Sequence, residues 1–173
     1  MPTQGAVRLR ALTPDDVEVL DARERDMARR SEFADFALPF RSHHVLLDRA
    51  RLESGLGFLV VEEAGTIAGS VSWHAVPYGP NPQSRAWNIG IELDVAFCGR
   101  GIGTVAQRLL ADMLFATTDA ARVEAMTDVE NRAEQRALEK AGFRREGVLR
   151  SAQWRRGAWH DLVAYARVRG DGP

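Results

Sequence analysis

The segment Cys98-Gly99-Arg100-Gly101-Ile102-Gly103-Thr104 constrains this chain more than any other. It follows an apolar run over residues 86–93 that reads as a strand. It precedes a stretch in which Ile102, Val105, Ala106, Leu109, Leu110 and Met113 recur three and four apart, the period of a helix with one buried face. A chain that leaves a strand through glycines and enters a helix presents unpaired N–H groups and the positive end of the helix dipole. Such a turn binds phosphate, and glycine lets the backbone approach the anion because no Cβ intervenes. The chain must therefore build an α/β fold around a strand–turn–helix junction suited to a phosphate-bearing ligand.

Three phosphate-binding patterns compete for this turn. A Walker loop needs Lys followed by Ser or Thr after its last glycine, and no lysine is present here. The dinucleotide fingerprint needs a glycine at 104, where threonine stands, and follows the first strand of its unit rather than the fourth. The third pattern, the pyrophosphate loop for coenzyme A, takes small residues at 101 and 103 with Arg or Gln at 98. Both glycines fit it, and Cys98 departs from it.

The rest of the chain reads as alternating elements. Residues 7–11 alternate apolar and basic side chains as a half-buried strand does. Thr13, Pro14 and Asp16 signal a helix start, and the helix runs to about Arg25. A second helix is expected over 44–52, ended by Gly55 and Gly57. Strands at 57–63 and 66–74 meet at Ala64-Gly65, a hairpin signal. Pro77, Pro80 and Pro82 mark a loop over 77–85. A short strand at 123–127 and a helix at 133–141, closed by Gly142, follow. Two last strands, 148–154 and 158–168, turn at Gly157. The order is a mixed sheet with helices on its faces. One domain is expected, with a core over about 7–168 and a disordered tail at 170–173.

Bulk properties exclude several classes. The 173 residues carry a net charge of −1, so no global positive field attracts nucleic acid or an anionic membrane. The arginines between 144 and 169 outnumber the two acids there, Glu146 and Asp161. They are read either as a solvated strand face or as a wall that attracts an anion. The single cysteine, Cys98, cannot form an internal disulfide, which suits a reducing cytosol. The opening Met-Pro-Thr-Gln-Gly lacks the features of a signal peptide, and no apolar stretch is long enough to span a bilayer. A cytoplasmic protein is expected.

Trp87-Asn88-Ile89-Gly90-Ile91-Glu92-Leu93-Asp94, the glycine turn, and Asn131-Arg-Ala-Glu-Gln-Arg-Ala-Leu-Glu-Lys-Ala-Gly-Phe143 together resemble the GNAT superfamily of N-acetyltransferases. The continuation to Arg150 and the late Gly157-Ala-Trp-His-Asp161 are similar to its ribosomal-protein N-terminal acetyltransferase branch, RimJ/RimL-like. The resemblance implies a mixed, mostly antiparallel sheet splayed between its fourth and fifth strands. It implies acetyl-CoA as acetyl donor, a primary amine as acceptor, direct attack without a covalent enzyme intermediate, and a homodimer by family habit. Backbone N–H groups from Phe97 through Cys98, Gly99, Arg100, Gly101, Ile102, Gly103 and Thr104 would hold the pyrophosphate. The backbone at Leu93, Asp94 and Val95 would meet the pantetheine, and Asn131 would contact it from the opposite lip.

Departures from the family pattern fall on the chemistry. Asn88 stands where many relatives carry a glutamate base, and an amide cannot take a proton at neutral pH. Glu92 shares strand parity with Asn88 and is the natural substitute, with apolar neighbours to desolvate it; the alternative is that it pairs with an arginine at the strand end. Glu134 replaces a frequent serine and reads as a capping partner of Asn131. No tyrosine presents itself as general acid, and Tyr165 reads as a strand packing residue. Trp73, His74, Tyr78 and Trp154 are expected to line the acceptor pocket, while His160 and Asp161 read as strand-end residues. No metal site is expected, because no Cys or His lies at ligand spacing. The rival to an enzyme is a module that binds acyl-CoA without turning it over.

Overall fold

The computed structural model describes residues 6–47 and 55–171. Seven strands form one sheet in the order β1-β2-β3-β4-β5-β7-β6. They are β1 (Val7–Arg10), β2 (Leu56–Glu63), β3 (Thr66–Pro77), β4 (Arg85–Leu93), β5 (Arg122–Asp128), β6 (Arg144–Arg155) and β7 (Ala158–Val168). Among the described residues three α-helices accompany them: α1 (Pro14–Arg25), α2 (Ile102–Thr117) and α3 (Arg132–Lys140). All strand pairs are antiparallel except β4 with β5.

That parallel pair opens the site. It is registered only from Trp87 opposite Val123 to Ile89 opposite Ala125. Beyond those rungs β4 continues to Leu93 and β5 to Asp128 without pairing. The two strands part, and the sheet is split toward their C-terminal ends.

Period-2 alternation sends side chains to two cores. Leu59, Val61, Val71, Trp73, Trp87, Ile89, Val123 and Ala125 pack against α2 and, with Leu138, α3. Phe58 and Val60 face the other way, onto Leu12 and Leu20 beside α1. Trp73 lies flat on the β2 backbone. A Cβ on Gly57, its cross-strand partner, would fall 1.8 Å from the indole ring, so only glycine leaves room for it.

Local chemistry sets most element ends. Asp16 accepts from the Thr13 N–H (2.8 Å) and hydroxyl (2.6 Å), tying the first turn of α1. The hairpin turns Ala64-Gly65 and Arg156-Gly157 both hold two positive φ angles, as tight two-residue hairpins require. Gly142 closes α3 at φ +94.

Several expectations shift. Of the helix expected over 44–52, the described part is a 3-10 turn, His43–Leu46, and residues 48–52 lie outside the described residues. On α2, Leu109 is exposed, while Gln107 and Leu114 join the buried face. Gln107 is accommodated there because its amide donates to the Gly103 carbonyl at 3.1 Å. Strand β6 starts four residues earlier than its apolar pattern suggests, because an outer strand pairs on one side only and needs little apolar patterning. Gly170 and Asp171, expected to be disordered, form a turn with Val168; residues 172–173 lie outside the described residues.

The arginines of the last two strands do not form one wall. Arg155 pairs with Asp128, Arg156 with Glu32 and Asp35, Arg167 with Asp112, and Arg144 with Asp171. Arg169 donates to the Thr118 and Ala120 carbonyls.

Candidate active site

A cleft of about 1040 Å³ runs through the split between β4 and β5. One mouth is lined by Phe97, Cys98, Gly99, Gly101, Gly103 and Thr104, facing Asn131, Glu134, Arg136 and Lys140 across the gap. The other mouth is lined by Ser72, His74, Gly90, Glu92, Phe33 and Phe36, with His43, Asp128 and Arg155 close by.

The first mouth is made of backbone. Gly99 and Gly101 sit at φ +72 and +80, the left-handed region where a side chain is strained. Gly101 caps α2, and the first bond into the helix runs from Val105 N–H to the Gly101 carbonyl at 3.2 Å. The amides of Ile102, Gly103 and Thr104 precede it and have no carbonyl one turn back within the helix. A Cβ at Gly103 would only touch Leu93, Ile91 and Gln107 at 3.6–3.9 Å, so this glycine keeps the cleft open rather than relieving strain.

Some expected cofactor residues turn their side chains away. Ile102 is fully buried in the core. Asp94 is buried and paired with Arg29 and Arg23, and it accepts from the Ala96 N–H at 3.0 Å, capping the 3-10 turn Val95–Phe97. Burial would raise the Asp94 carboxyl, but the Ala96 amide and the two arginines outweigh it and hold it below its ordinary value. Val95 is exposed outside the cleft lining, and Arg100 reaches Glu63 at 2.6 Å while covering the Phe97 ring. The side chains of these four are engaged elsewhere or lie outside the cleft lining. The Cys98 thiol is pushed up by burial, then by the Asp94 and Glu134 charges, so it stays protonated and is a poor nucleophile.

Asn131 caps α3 as expected, its Oδ1 accepting from the Glu134 N–H at 3.2 Å. The return half of a capping box is missing. The Asn131 N–H goes to the Asp128 carbonyl, and the Glu134 carboxyl points to Gln107 instead. Half-buried on the cleft lining, that carboxyl is pushed up by burial to about 7, against the Gln107 hydrogen bond.

The second mouth is made of side chains. Glu92 is on it, but the desolvated setting expected from its sequence neighbours does not form. Ile91 and Leu93 alternate to the α2 side, leaving the Glu92 side chain 39% exposed and paired with Arg30 at 3.2 Å. Asn88 lies outside the lining, one rung before the split, opposite His74 and Glu124. His74 is on the rim, and Trp73 lines the floor. Tyr78 and Trp154 are not pocket residues. The Tyr78 hydroxyl donates to Glu124 at 2.6 Å, and Trp154 packs edge-on against Trp159 at the exposed end of the last hairpin.

Sequence reasoning missed much of this mouth. Asp128 and Arg155 form a buried pair, joined by His160 at 3.0 Å from Asp128. Burial raises the Asp128 carboxyl, but the Glu130 amide, Arg155 and His160 bring it below the ordinary value. His160 also contacts the Arg155 carbonyl, and Asp161 accepts from the Ser151 N–H, so both hold the strand end as expected. Phe33 stacks under the Arg155 guanidinium at 5.3 Å. The signals for the short turns were present: Asp26, Ser31 and Ser42 each accept from the amide two residues on. Arg136 and Lys140, four apart on α3, were a legible cationic lip.

Comparison with known proteins agrees with this architecture. Over 83 residues the chain is 42% identical to the Bacillus subtilis "Probable N-acetyltransferase YjcK", covering 48% of this chain and 46% of that protein. The chain thus spans about half the length of that relative. Among solved structures, Mycobacterium smegmatis RimJ in complex with CoA-disulfide superposes with a TM-score of 0.78 at 22% identity, covering 98% of this chain and 85% of that one. Spermidine N-acetyltransferase from Vibrio cholerae, in complex with CoA and spermine, superposes with a TM-score of 0.76 at 20% identity, covering 95% and 96%. The family model described as an acetyltransferase (GNAT) domain matches residues 6–144, and this chain belongs to that family.

Proposed function

We propose that this protein transfers the acetyl group of acetyl-CoA to a primary amine. The observation that carries the reading is the cleft through the split sheet, with backbone amides and two left-handed glycines at one mouth facing Glu134, and a pocket of polar and aromatic side chains at the other. The donor's phosphates fit the amides of 99–104, and Arg136 and Lys140 supply positive charge on the facing lip. The pantetheine arm fits the split, where β4 and β5 leave each other's backbone groups unpaired.

The acceptor mouth suits an amine with little further positive charge. Its carboxylates already face cations: Glu92 faces Arg30 and Asp128 faces Arg155. Phe33, Phe36, Leu46 and Phe58 give it apolar walls. Glu134, with a carboxyl near 7, is placed to return a proton to the leaving thiolate. Cytoplasmic residence, a homodimer and a single 1–173 domain belong to the same reading. Among the described residues no helix is long and apolar enough to cross a membrane.

The test has two steps. Acetyl-CoA at ~100 times its dissociation constant should stabilise the protein by roughly 2.7 kcal/mol, seen as a higher melting temperature. Thiol release should then appear with a panel of amines. A melting rise without thiol release would favour the rival, an acyl-CoA-binding module, which the amide at Asn88 and the exposed, paired Glu92 support. No melting rise would end both readings.

A further inference from the structure

We infer that His43, held by Asp21, is the group that takes the proton from the acceptor amine; this rests on the acetyl-transfer reading above. Asp21 lies on α1 and is buried. Its Oδ1 accepts the His43 backbone N–H at 2.8 Å and faces the ring Nδ1 at 2.7 Å, while its Oδ2 accepts the Ser42 hydroxyl at 2.6 Å. One carboxylate thus fixes both the backbone and the ring of the same histidine. The Phe58 ring, 5.7 Å away and tilted by 55°, sets the plane of the imidazole.

A carboxylate against Nδ1 keeps a proton on that nitrogen and leaves the Nε2 lone pair open. Nε2 has no hydrogen-bond partner among the described residues, and His43 lines the acceptor mouth with Ser70, Gly90 and Glu92. His74 on the same rim has no carboxylate against it among the described residues. Glu92, the alternative from strand parity, is engaged with Arg30. The charged groups around His43 are Asp21, Arg23 and Glu24 from α1, Arg29 and Arg30 from the following loop, and Glu92 and Asp94 from β4 and its end. Asp21 is the one in contact with the ring and acts as a positioning residue.

The acceptor enters as R–NH3+, and Nε2 takes one proton to give R–NH2 and an imidazolium. The amine lone pair forms the C–N bond as the thioester C–S bond breaks. Glu134 gives its proton to the thiolate, forming the free thiol, and the second N–H proton that leaves the new amide nitrogen restores the Glu134 carboxyl. The imidazolium returns its proton to water.

The experiment compares wild type, His43→Gln and Asp21→Asn across pH, with acetyl-CoA and an amine that the wild type turns over. His43→Gln should lower kcat about 100-fold, within the range for losing a general base. KM should change little, and the acidic limb of the kcat profile should disappear. Asp21→Asn should keep that limb but displace it, with a smaller loss. The melting rise with acetyl-CoA should persist in both variants, showing that they fold. Independently, nitrogen NMR of the His43 ring should show the proton on Nδ1 in wild type and a mixture of tautomers in Asp21→Asn. A His43→Gln enzyme that matches wild type at every pH, or a ring protonated on Nε2, overturns the assignment and leaves the transfer reading standing. A wild type that releases no thiol with any amine overturns the transfer reading and this assignment with it.

Discussion

The two mouths of the cleft are built on different principles. The donor side uses peptide groups: glycines at positive φ, a helix start and an asparagine cap, all within two short sequence segments. The acceptor side uses side chains gathered from the 26–47 loop, β2, β3, β4, β5 and β6, fixed by ion pairs such as Glu92 with Arg30 and Asp128 with Arg155. Peptide groups are supplied by every residue, so conformation decides what they bind. Side chains must be brought together from a distance, so their identity and their partners decide. The donor side should therefore fail through backbone changes, and the acceptor side through loss of a charge partner.

The largest effect should come from Gly101→Val. A β-branched residue at φ +80 is strained by at least ~1–2 kcal/mol and crowds the anion. The melting rise with acetyl-CoA should vanish, whereas Ser72→Ala on the other mouth should leave it intact; equal loss in both would erase the distinction. Next, Arg155→Ala leaves Asp128 buried without its main partner, and should destabilise the fold by about 3–5 kcal/mol in denaturant unfolding.

Glu134→Gln should fold normally and lower kcat about 10- to 100-fold. With a carboxyl near 7, the wild type should lose kcat as pH rises past 7, and the variant should lack that limb. A retained limb would remove Glu134 from proton return.

Acid should act more gently. Asp94 and Asp128 are held below their ordinary values in the fold, so their contribution to stability is complete above the unfolded carboxylate value of about 3.9. It is lost as pH falls through their lower folded values. Melting temperature should drop below about pH 4, and Asp94→Asn should start lower and fall less steeply. The smallest effect belongs to Gly103→Ala, where the added methyl meets only ordinary contacts; melting should move by no more than the ~0.5 kcal/mol equivalent of a neutral site.

What could be read from the sequence follows the same division. Thr13-Pro14 with Asp16, the two tight hairpins, Gly142 and the glycine turn are local signals, and each element begins or ends where they stand. The α2 stripe misled at Leu109, because apolar type alone does not say which residues face the sheet, and Gln107 is buried through a bond to its own helix. Trp154 and Tyr78 look like pocket aromatics by type, but Trp154 alternates with Gln153 and Arg155, which take the cleft side of β6, and Tyr78 answers to Glu124. Glu92 had the right strand parity; Arg30, sixty-two residues away, changed its surroundings. No local pattern announces such a meeting, nor that of Asp21 with His43.

The indole of Trp73 over Gly57 makes those two positions a single evolutionary unit. Any lineage that adds even a methyl at 57 while Trp73 remains must push an aromatic ring out of the cleft floor. A lineage that first shrinks residue 73 frees position 57 to vary and gains a deeper cavity. The order of the two changes therefore decides which are tolerated, and a roomier cleft floor can be reached from one direction only.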